Sequence, residues 1–331
     1  MRLLIITNNP ERASFRQRVG VHLDMLASHG IETEVAVLPK GFLARHRVFR
    51  RSTAFDAVLL HKKRLNPRDA FFLRRYARRI GYDFDDAVMY APRAPDRDSR
   101  SHLLPFRRTV RLADLVIAGN AYLGEHARVY NPNVRVLPTG LDTEVYNSQT
   151  RPTPDGKVRL VWIGARATLP YLQQIGPSIE QVGGRFRNVV LRIICDTFLE
   201  MHHLPVERRP WSMHGQIADL VSGDIGLSPL PDDRFTRGKC AFKILQYAAA
   251  GLPIVASPVG VNAQYVQDGI TGFHAMTRSD WVEKMILLIQ DEQLRTKMGQ
   301  AAKAWVADFD SKRVGERLVR ILKEDMTSAD A

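Results

Sequence analysis

The chain has 331 residues, 45% hydrophobic and 25% charged, which excludes a disordered chain and leaves room for two hydrophobic cores. Its two cysteines, Cys195 and Cys240, stand far apart without metal-ligand spacing, which excludes a disulfide framework and a zinc cluster and suits a reducing compartment. The net charge of +13 is uneven: residues 1–145 hold 25 basic and 15 acidic side chains, residues 146–331 hold 23 and 20, a field that favours an anionic partner.

In chain order, residues 2–7 form an apolar, β-branched run that reads as a buried strand. No basic n-region and no small-residue cleavage site accompany it, so a signal peptide is not expected. Ser14 is expected to cap a helix through about residue 29, with Val19, Leu23, Leu26 and Ala27 on one face and Gly30 as its stop. Residues 32–38 and 56–60 are two further strands, and Pro67 opens a helix to about residue 79. A short strand at 82–84 leads into a loop rich in Asp, Pro and Arg up to about Ser101. Strands at 115–118 and 134–137 flank a helix near 121–129. This βαβ series predicts a mostly parallel sheet covered on both faces.

Residues 150–156, with Pro152 and Pro154, read as a linker. A second series follows: strand 158–163, helix 170–181, strands 189–195 and 225–228, helix 242–250 and strand 253–256. The tail is helical over 279–290, 292–308 and 312–323. The expected organisation is two Rossmann-like α/β domains, 1–150 and 151–310, facing a cleft, with a C-terminal helical segment, 311–331, crossing back to the first. Ligands of such sheets bind at the carboxyl ends of the strands.

Three stretches carry chemistry. The first runs from Asp224 to Gly260. A strand ends at Pro229 and Leu230, and Gly238 lets the backbone approach a ligand. Lys239 and Lys243 flank the start of a helix near Phe242, whose N-terminus also favours an anion the size of a diphosphate. Gln246, three positions after Lys243, can reach ribose hydroxyls. The second is Tyr82-Asp83-Phe84-Asp85-Asp86, at the end of a strand. Strand alternation points Asp83 and Asp85 to one face, Phe84 and Asp86 to the other; Asp85 or Asp86 is expected to face an acceptor and to carry catalysis. The third is NNPERASFRQR at 8–18. It lacks Gly-x-Gly-x-x-Gly, which argues against a nicotinamide enzyme, and Ser14, Arg16 and Arg18 are candidates to hold an acceptor phosphate.

The stretch GKCAFKILQYAAAGLPIVASPVG at 238–260, followed by VQDGITGF at 266–273, resembles the donor-binding segment of family 4 (group 1) glycosyltransferases. ADLVIAGNAYL at 113–123, PTGLD at 138–142 and DEQLRTKMG at 291–299 are similar to other parts of that family. The resemblance implies the GT-B fold, a nucleoside-diphosphate sugar as donor, retention of anomeric configuration and no metal. It places the donor against Gly164, Arg166, Thr168, Pro229, Leu230, Gly238, Lys239, Lys243 and Gln246. The chain departs from the family where a Glu-x7-Glu pair is usual: those positions are Gly238 and Gln246. Ala165 and Pro170 stand where an Arg and a Lys are common, so Lys239, Lys243 and the helix start after Thr168, which Thr168 is expected to cap, are expected to share the phosphate contacts.

The expected function is transfer of a sugar from a nucleotide sugar to a glycan or lipid-linked acceptor, without a cofactor or nucleic acid. Residues 40–111 carry a net charge of +12, with Phe42, Leu43, Val48, Phe49, Phe71, Phe72 and Leu73 interleaved. That pattern points to an anionic membrane surface, and to a cytoplasmic protein held peripherally on the inner face. The acidic cluster at 83–86 is expected away from the diphosphate site. A sugar-nucleotide epimerase of the same fold, or a non-catalytic basic membrane or nucleic-acid binder, is the alternative.

Overall fold

The computed structural model describes residues 1–326 apart from 152 and 154. The two prolines of the expected linker, and residues 327–331 of the expected C-terminal segment, therefore lie outside the described residues. The chain divides into two compact units. One comprises Met1–Gly140, Asp233–Cys240 and the segment from Phe309; the other comprises Leu141–Asp232 and Ala241–Asp308. The first division thus falls at residue 140, and a short piece near residue 240 belongs to the first unit.

The first unit is built on six parallel strands: β1 (Arg2–Thr7), β2 (Glu32–Val37), β3 (Ala57–His61), β4 (Ile80–Phe84), β5 (Leu115–Ala118) and β6 (Val134–Val136). Their order is β2-β1-β3-β4-β5-β6. β1, β3, β4 and β5 are near-continuous apolar runs because helices cover both faces. Alternate residues serve different cores. Leu4, Ile6, Val58, Leu60, Tyr82 and Phe84 pack on one face with Phe106 and Val110. Leu3, Ile5, Leu59, Leu115 and Ile117 pack on the other with Val314, Leu318, Leu322 and Met326. The latter group lies along one face of the helix Ser311–Met326, which is how the C-terminal segment joins this unit.

Several features of the first unit differ from expectation, among them the helix Phe42–Arg51, which was not expected. The helix expected over 14–29 is broken into Ala13–Arg18, a 3-10 turn at Gly20–His22, and Leu23–Ser28. Gly20 is a poor helix interior residue, while Gly30, at φ +77, ends the last piece as expected. A helix also spans Arg100–Leu112, where the loop ends. Its Pro105 and its arginines obscure a buried stripe of Phe106, Thr109 and Val110.

The second unit repeats the architecture with β7 (Val158–Ile163), β8 (Val189–Cys195), β9 (Val206–Pro210), β10 (Ile225–Ser228), β11 (Ile254–Ala256) and β12 (Gly272–His274), all parallel, in the order β12-β11-β10-β7-β8-β9. Tyr247, on the buried side of the helix Phe242–Ala249, ties two central strands: its hydroxyl accepts from Ile163 N–H (3.1 Å) and donates to the Leu227 carbonyl (3.0 Å). Close approach explains two glycines of this unit. A Cβ on Gly272 would lie 2.0 Å from the Ile254 carbonyl oxygen, and one on Gly299 2.1 Å from that of Gly251. Gly299→Ala is therefore expected to destabilise the protein by ~1–3 kcal/mol through overpacking against backbone. Thermal denaturation checks this; an unchanged midpoint would contradict the packing described.

Candidate functional site

The carboxyl edge of the first sheet gathers six ionisable side chains. The parallel register sets His61 opposite Asp83. Asp83 is buried (3% exposed) and accepts from Arg18 Nε at 2.8 and 3.0 Å and from His61 Nδ1 at 3.0 Å. The Arg18 Nη2 stands 2.7 Å from Asp83 Oδ1, and Nη1 donates to the Leu137 carbonyl at 2.8 Å. A carboxylate only accepts, so the His61 proton is assigned to Nδ1. His61 Nε2 is buried and, among the described residues, has no hydrogen-bond partner.

The strand ends at Phe84, so Asp85 and Asp86 lie beyond it and alternation no longer separates them. Both reach Lys62. Its ammonium is 2.8 Å from Asp85 Oδ1 and also contacts Asp86 Oδ2. Lys62 sits in the left-handed region at φ 54, unusual for a residue with a Cβ, and its N–H donates to the Asp83 carbonyl at 2.7 Å. The electrostatics are those of a charge-paired interior. Burial pushes Asp83 up, but Arg18 and His61 outweigh it and hold the carboxyl below its ordinary range. Burial likewise opposes the charge on Asp85, and Lys62, His61 and Arg18 outweigh it, so this carboxyl too is held low. Burial would lower Lys62, yet Asp85 and Asp86 raise it above the usual lysine range.

The segment Asp233–Cys240 completes this edge. Lys239 Nζ lies 2.9 Å from Asp86 Oδ1 and 4.7 Å from the centre of the Phe235 ring. Asn120, which caps the helix Ala121–Arg128 through Leu123 N–H, donates to the carbonyls of Gly238 (3.1 Å) and Lys239 (3.2 Å). Tyr122 donates to the Arg234 carbonyl, and Cys240 Sγ to that of Asp85. Burial and the neighbouring Asp85 push the Cys240 thiol well above its ordinary value, so it stays protonated. A Cβ on Gly238 would come within 2.7 Å of Ala87 Cβ and 2.9 Å of Leu123 Cδ2. Glycine is needed there for packing within the first unit, a correction to the expected role of letting a ligand approach.

In the second unit, Gly164 follows β7, and its missing side chain leaves room for Trp162 and Thr168, whose atoms a Cβ would meet at 2.4 and 2.8 Å. Lys243 Nζ stands 4.6 Å from the centre of the Trp162 ring. Gln246 is buried, and its amide donates to Gln216 Oε1 (3.2 Å) and Tyr146 Oη (3.4 Å). Pro229 and Leu230 line a cavity of about 400 Å³ with Gln174, Ser257, Met276 and Trp281. Leu230 N–H donates to Ser257 Oγ at its wall. Arg166 is exposed beside the same sheet edge as Gly164.

Several expectations need correction. Ser14 does not cap its helix; Arg12 takes that position and no side chain closes it. Arg16 donates to the Glu11 carbonyl. Arg18, expected to face an acceptor phosphate, is buried and committed to Asp83 and Leu137. Thr168 Oγ1 accepts from Ala165 N–H and donates to the Ala165 carbonyl, and does not cap the helix Leu169–Gln174. The acidic cluster is not remote from Lys239 but paired with it. His61, Lys62 and Asn120 were not among the expected site residues. The signal for the first two was their place at the end of a buried strand, beside a second strand that ends in carboxylates.

The description "Glycosyl transferases group 1" attaches to the family model that matches residues 239–305, about a fifth of the chain. No curated protein matches the chain in sequence. Among solved structures, HepE from Anabaena in complex with UDP and glucose superposes with a TM-score of 0.71 at 14% identity, covering 98% of this chain and 100% of that one. Sucrose-phosphate synthase from Thermosynechococcus elongatus gives 0.74 at 12%, covering 98% of each. WaaG, a glycosyltransferase involved in lipopolysaccharide biosynthesis, gives 0.69 at 12%, covering 96% and 99%. The chain has the GT-B fold of these neighbours, and fold and matched segment together mark it as a glycosyltransferase enzyme.

The buried pair yields a stability expectation. Arg18→Met should cost ~3–5 kcal/mol, since it strands the Asp83 charge away from water. Both Asp83 and Asp85 are held below their unfolded range, so their contribution is complete above the ordinary carboxylate range and is lost as the pH falls below it. Chemical denaturation across that interval should show wild-type stability dropping towards acid. A stability that rises towards acid, or an Arg18→Met variant as stable as wild type, would contradict the pairing.

Proposed function

We propose that the protein is a family 4 type glycosyltransferase that moves a sugar, with retention, from a nucleoside-diphosphate sugar to a glycan or lipid-linked acceptor at a membrane surface. The observation that carries this reading is the matched segment beginning at Lys239, which contains the helix Phe242–Ala249 with Lys243 in its first turn. Neighbours of the same fold include complexes with UDP and with UDP-glucose, which supports a nucleotide-sugar donor. In the second unit the donor would lie against Gly164, Arg166, Thr168, Pro229, Leu230, Lys243 and Gln246, at the carboxyl ends of β7 and β10. The transfer would rely on stabilising the departing diphosphate and on positioning, with no cofactor besides the donor. On this reading Asp85 or Asp86 would meet an acceptor hydroxyl at the edge of the first sheet.

The membrane part of the reading rests on the surface of the first unit. Phe42, Leu43 and Phe71 are 45, 72 and 66% exposed, and Leu103 and Leu104 add to them. They accompany the basic residues of the helices Phe42–Arg51, Pro67–Tyr76 and Arg100–Leu112. Of the apolar residues expected to share this surface, Phe49 and Leu73 are core instead. No helix among the described residues is long and apolar enough to cross a membrane. Interleaved cations and apolar side chains support reversible attachment to an anionic leaflet.

Two measurements test this reading. In a thermal-shift screen with UDP, GDP, ADP, TDP and CMP, at least one nucleoside diphosphate should raise the melting temperature, with ~2.7 kcal/mol of stabilisation at 100 times its dissociation constant. Lys243→Ala should weaken that ligand by ~1.5–3 kcal/mol, as the loss of a charge-assisted contact. No shift with any of the five would contradict the donor assignment. In co-sedimentation, anionic vesicles should retain the protein at low salt and release it at high salt, and neutral vesicles should not bind it. Protein left in the supernatant with anionic vesicles at low salt would refute the membrane part alone.

A further inference from the structure

Asp86 occupies an unusual position at the edge of the first sheet. Its two carboxylate oxygens bind two different lysines: Oδ2 contacts Lys62 Nζ, and Oδ1 lies 2.9 Å from Lys239 Nζ. These lysines come from segments far apart in the chain, and each is held independently of Asp86. Lys62 is fixed by its left-handed backbone, by the N–H bond to the Asp83 carbonyl and by its contact with Asp85. Lys239 is fixed by the Phe235 ring, by the Asn120 amide on its carbonyl and by the close packing of Gly238 on Ala87. The ammonium pair would therefore persist if Asp86 turned away.

The pair is also reachable. Side chains of Lys62, Lys239 and Asp86 are 25, 25 and 22% exposed, whereas Arg18, the other cation of this edge, is 1% exposed. A phosphoryl group presents the same pair of oxygens as a carboxylate, with up to one further negative charge, and two ammonium groups favour the more highly charged anion. The edge holds three carboxylates against three permanent cations, so exchanging Asp86 for a phosphate keeps every cation paired.

We propose that Lys62 and Lys239 form a two-ammonium site for a phosphate or diphosphate group, and that Asp86 occupies this site in the ligand-free protein as an internal stand-in. Arrival of the anion displaces the Asp86 carboxylate and frees it at the same sheet edge. The anion belongs to one of two sources with shared chemistry: the diphosphate of the nucleotide donor, in which case the inference rests on the donor reading above, or the phosphate of a lipid-linked acceptor.

Isothermal titration of wild type, Asp86→Asn and Asp86→Asn/Lys62→Gln with inorganic pyrophosphate, UDP and farnesyl diphosphate tests the proposal. Removing the internal competitor should tighten pyrophosphate roughly tenfold, as expected when a site is released from a self-occupied state, and the added Lys62→Gln change should abolish the gain. A matching gain for UDP assigns the site to the donor; a gain for farnesyl diphosphate without one for UDP assigns it to the acceptor. Should Asp86→Asn fail to fold, by its circular dichroism, Asp86→Ser replaces it, and Lys62→Gln alone should weaken pyrophosphate in the wild-type background. Unchanged affinity for all three probes in the folded Asp86 variant would overturn the proposal and leave Asp86 as a structural ion pair. Failure of wild type to bind any nucleoside diphosphate, with the pyrophosphate gain intact, would remove the donor reading and leave the anion site standing.

Discussion

The ion pair between Arg18 and Asp83 is the constraint on which the candidate site depends. Two charges removed from water are stable only when each is fully paired, and here Arg18 contributes three nitrogens to Asp83 and Leu137. That arrangement fixes the helix after β1 against β4. It also orients His61, whose Nδ1 shares the same carboxylate, and it anchors the strand end from which Asp85 and Asp86 project. Lys62, bonded through its N–H to the Asp83 carbonyl, inherits its position from the same residue. The site is thus a chain of dependencies that begins in the interior and ends at side chains a ligand can reach.

A second feature is the return of Asp233–Cys240 to the first unit. Its hold there is largely backbone-directed: Asn120 and Tyr122 bond carbonyls of the segment, and Gly238 fits because it lacks a Cβ. Side chains add to this hold: Phe235 and Cys240 join the core of the first unit, Arg234 donates to the Pro95 carbonyl and to Asp98, and Lys239 meets Asp86. Two residues other than glycine have positive φ among the described residues: Lys62, within the site, and Ala241, directly after Cys240. Backbone held in a sparsely populated region persists only where its surroundings demand it, and at Lys62 the demand is visible in the N–H bond to Asp83.

Much of the fold was legible in the sequence because the central strands of parallel sheets are unbroken apolar runs. β1, β3, β5, β7, β8, β10 and β11 could be read in that way. β9 could not: it lies at the sheet edge, reads Val-Glu-Arg-Arg-Pro and is mostly exposed. β12 is three residues long, and its Gly272 is set by close approach to Ile254. The helix Arg100–Leu112 hid behind Pro105 and its arginines. Lys239, Lys243, Asp85 and Asp86 stood out by charge and by position after strands. Which of them pair was not legible, because pairing across 65 residues, as in Arg18 with Asp83, or across 153, as in Asp86 with Lys239, leaves no local periodicity. Gly238 is the instructive case. A glycine in a loop suggests ligand approach, and here the approaching group is the protein's own Ala87.

The central claim, that this chain transfers sugar from a nucleoside diphosphate, is tested most directly by the reaction. Purified protein incubated with UDP-, GDP-, ADP- and TDP-sugars, with and without a bacterial membrane lipid extract, should release one nucleoside diphosphate faster when the extract is present. The new glycosidic bond should have the anomeric configuration of the donor. Absence of nucleoside diphosphate release from every donor, with and without the extract, would contradict the account.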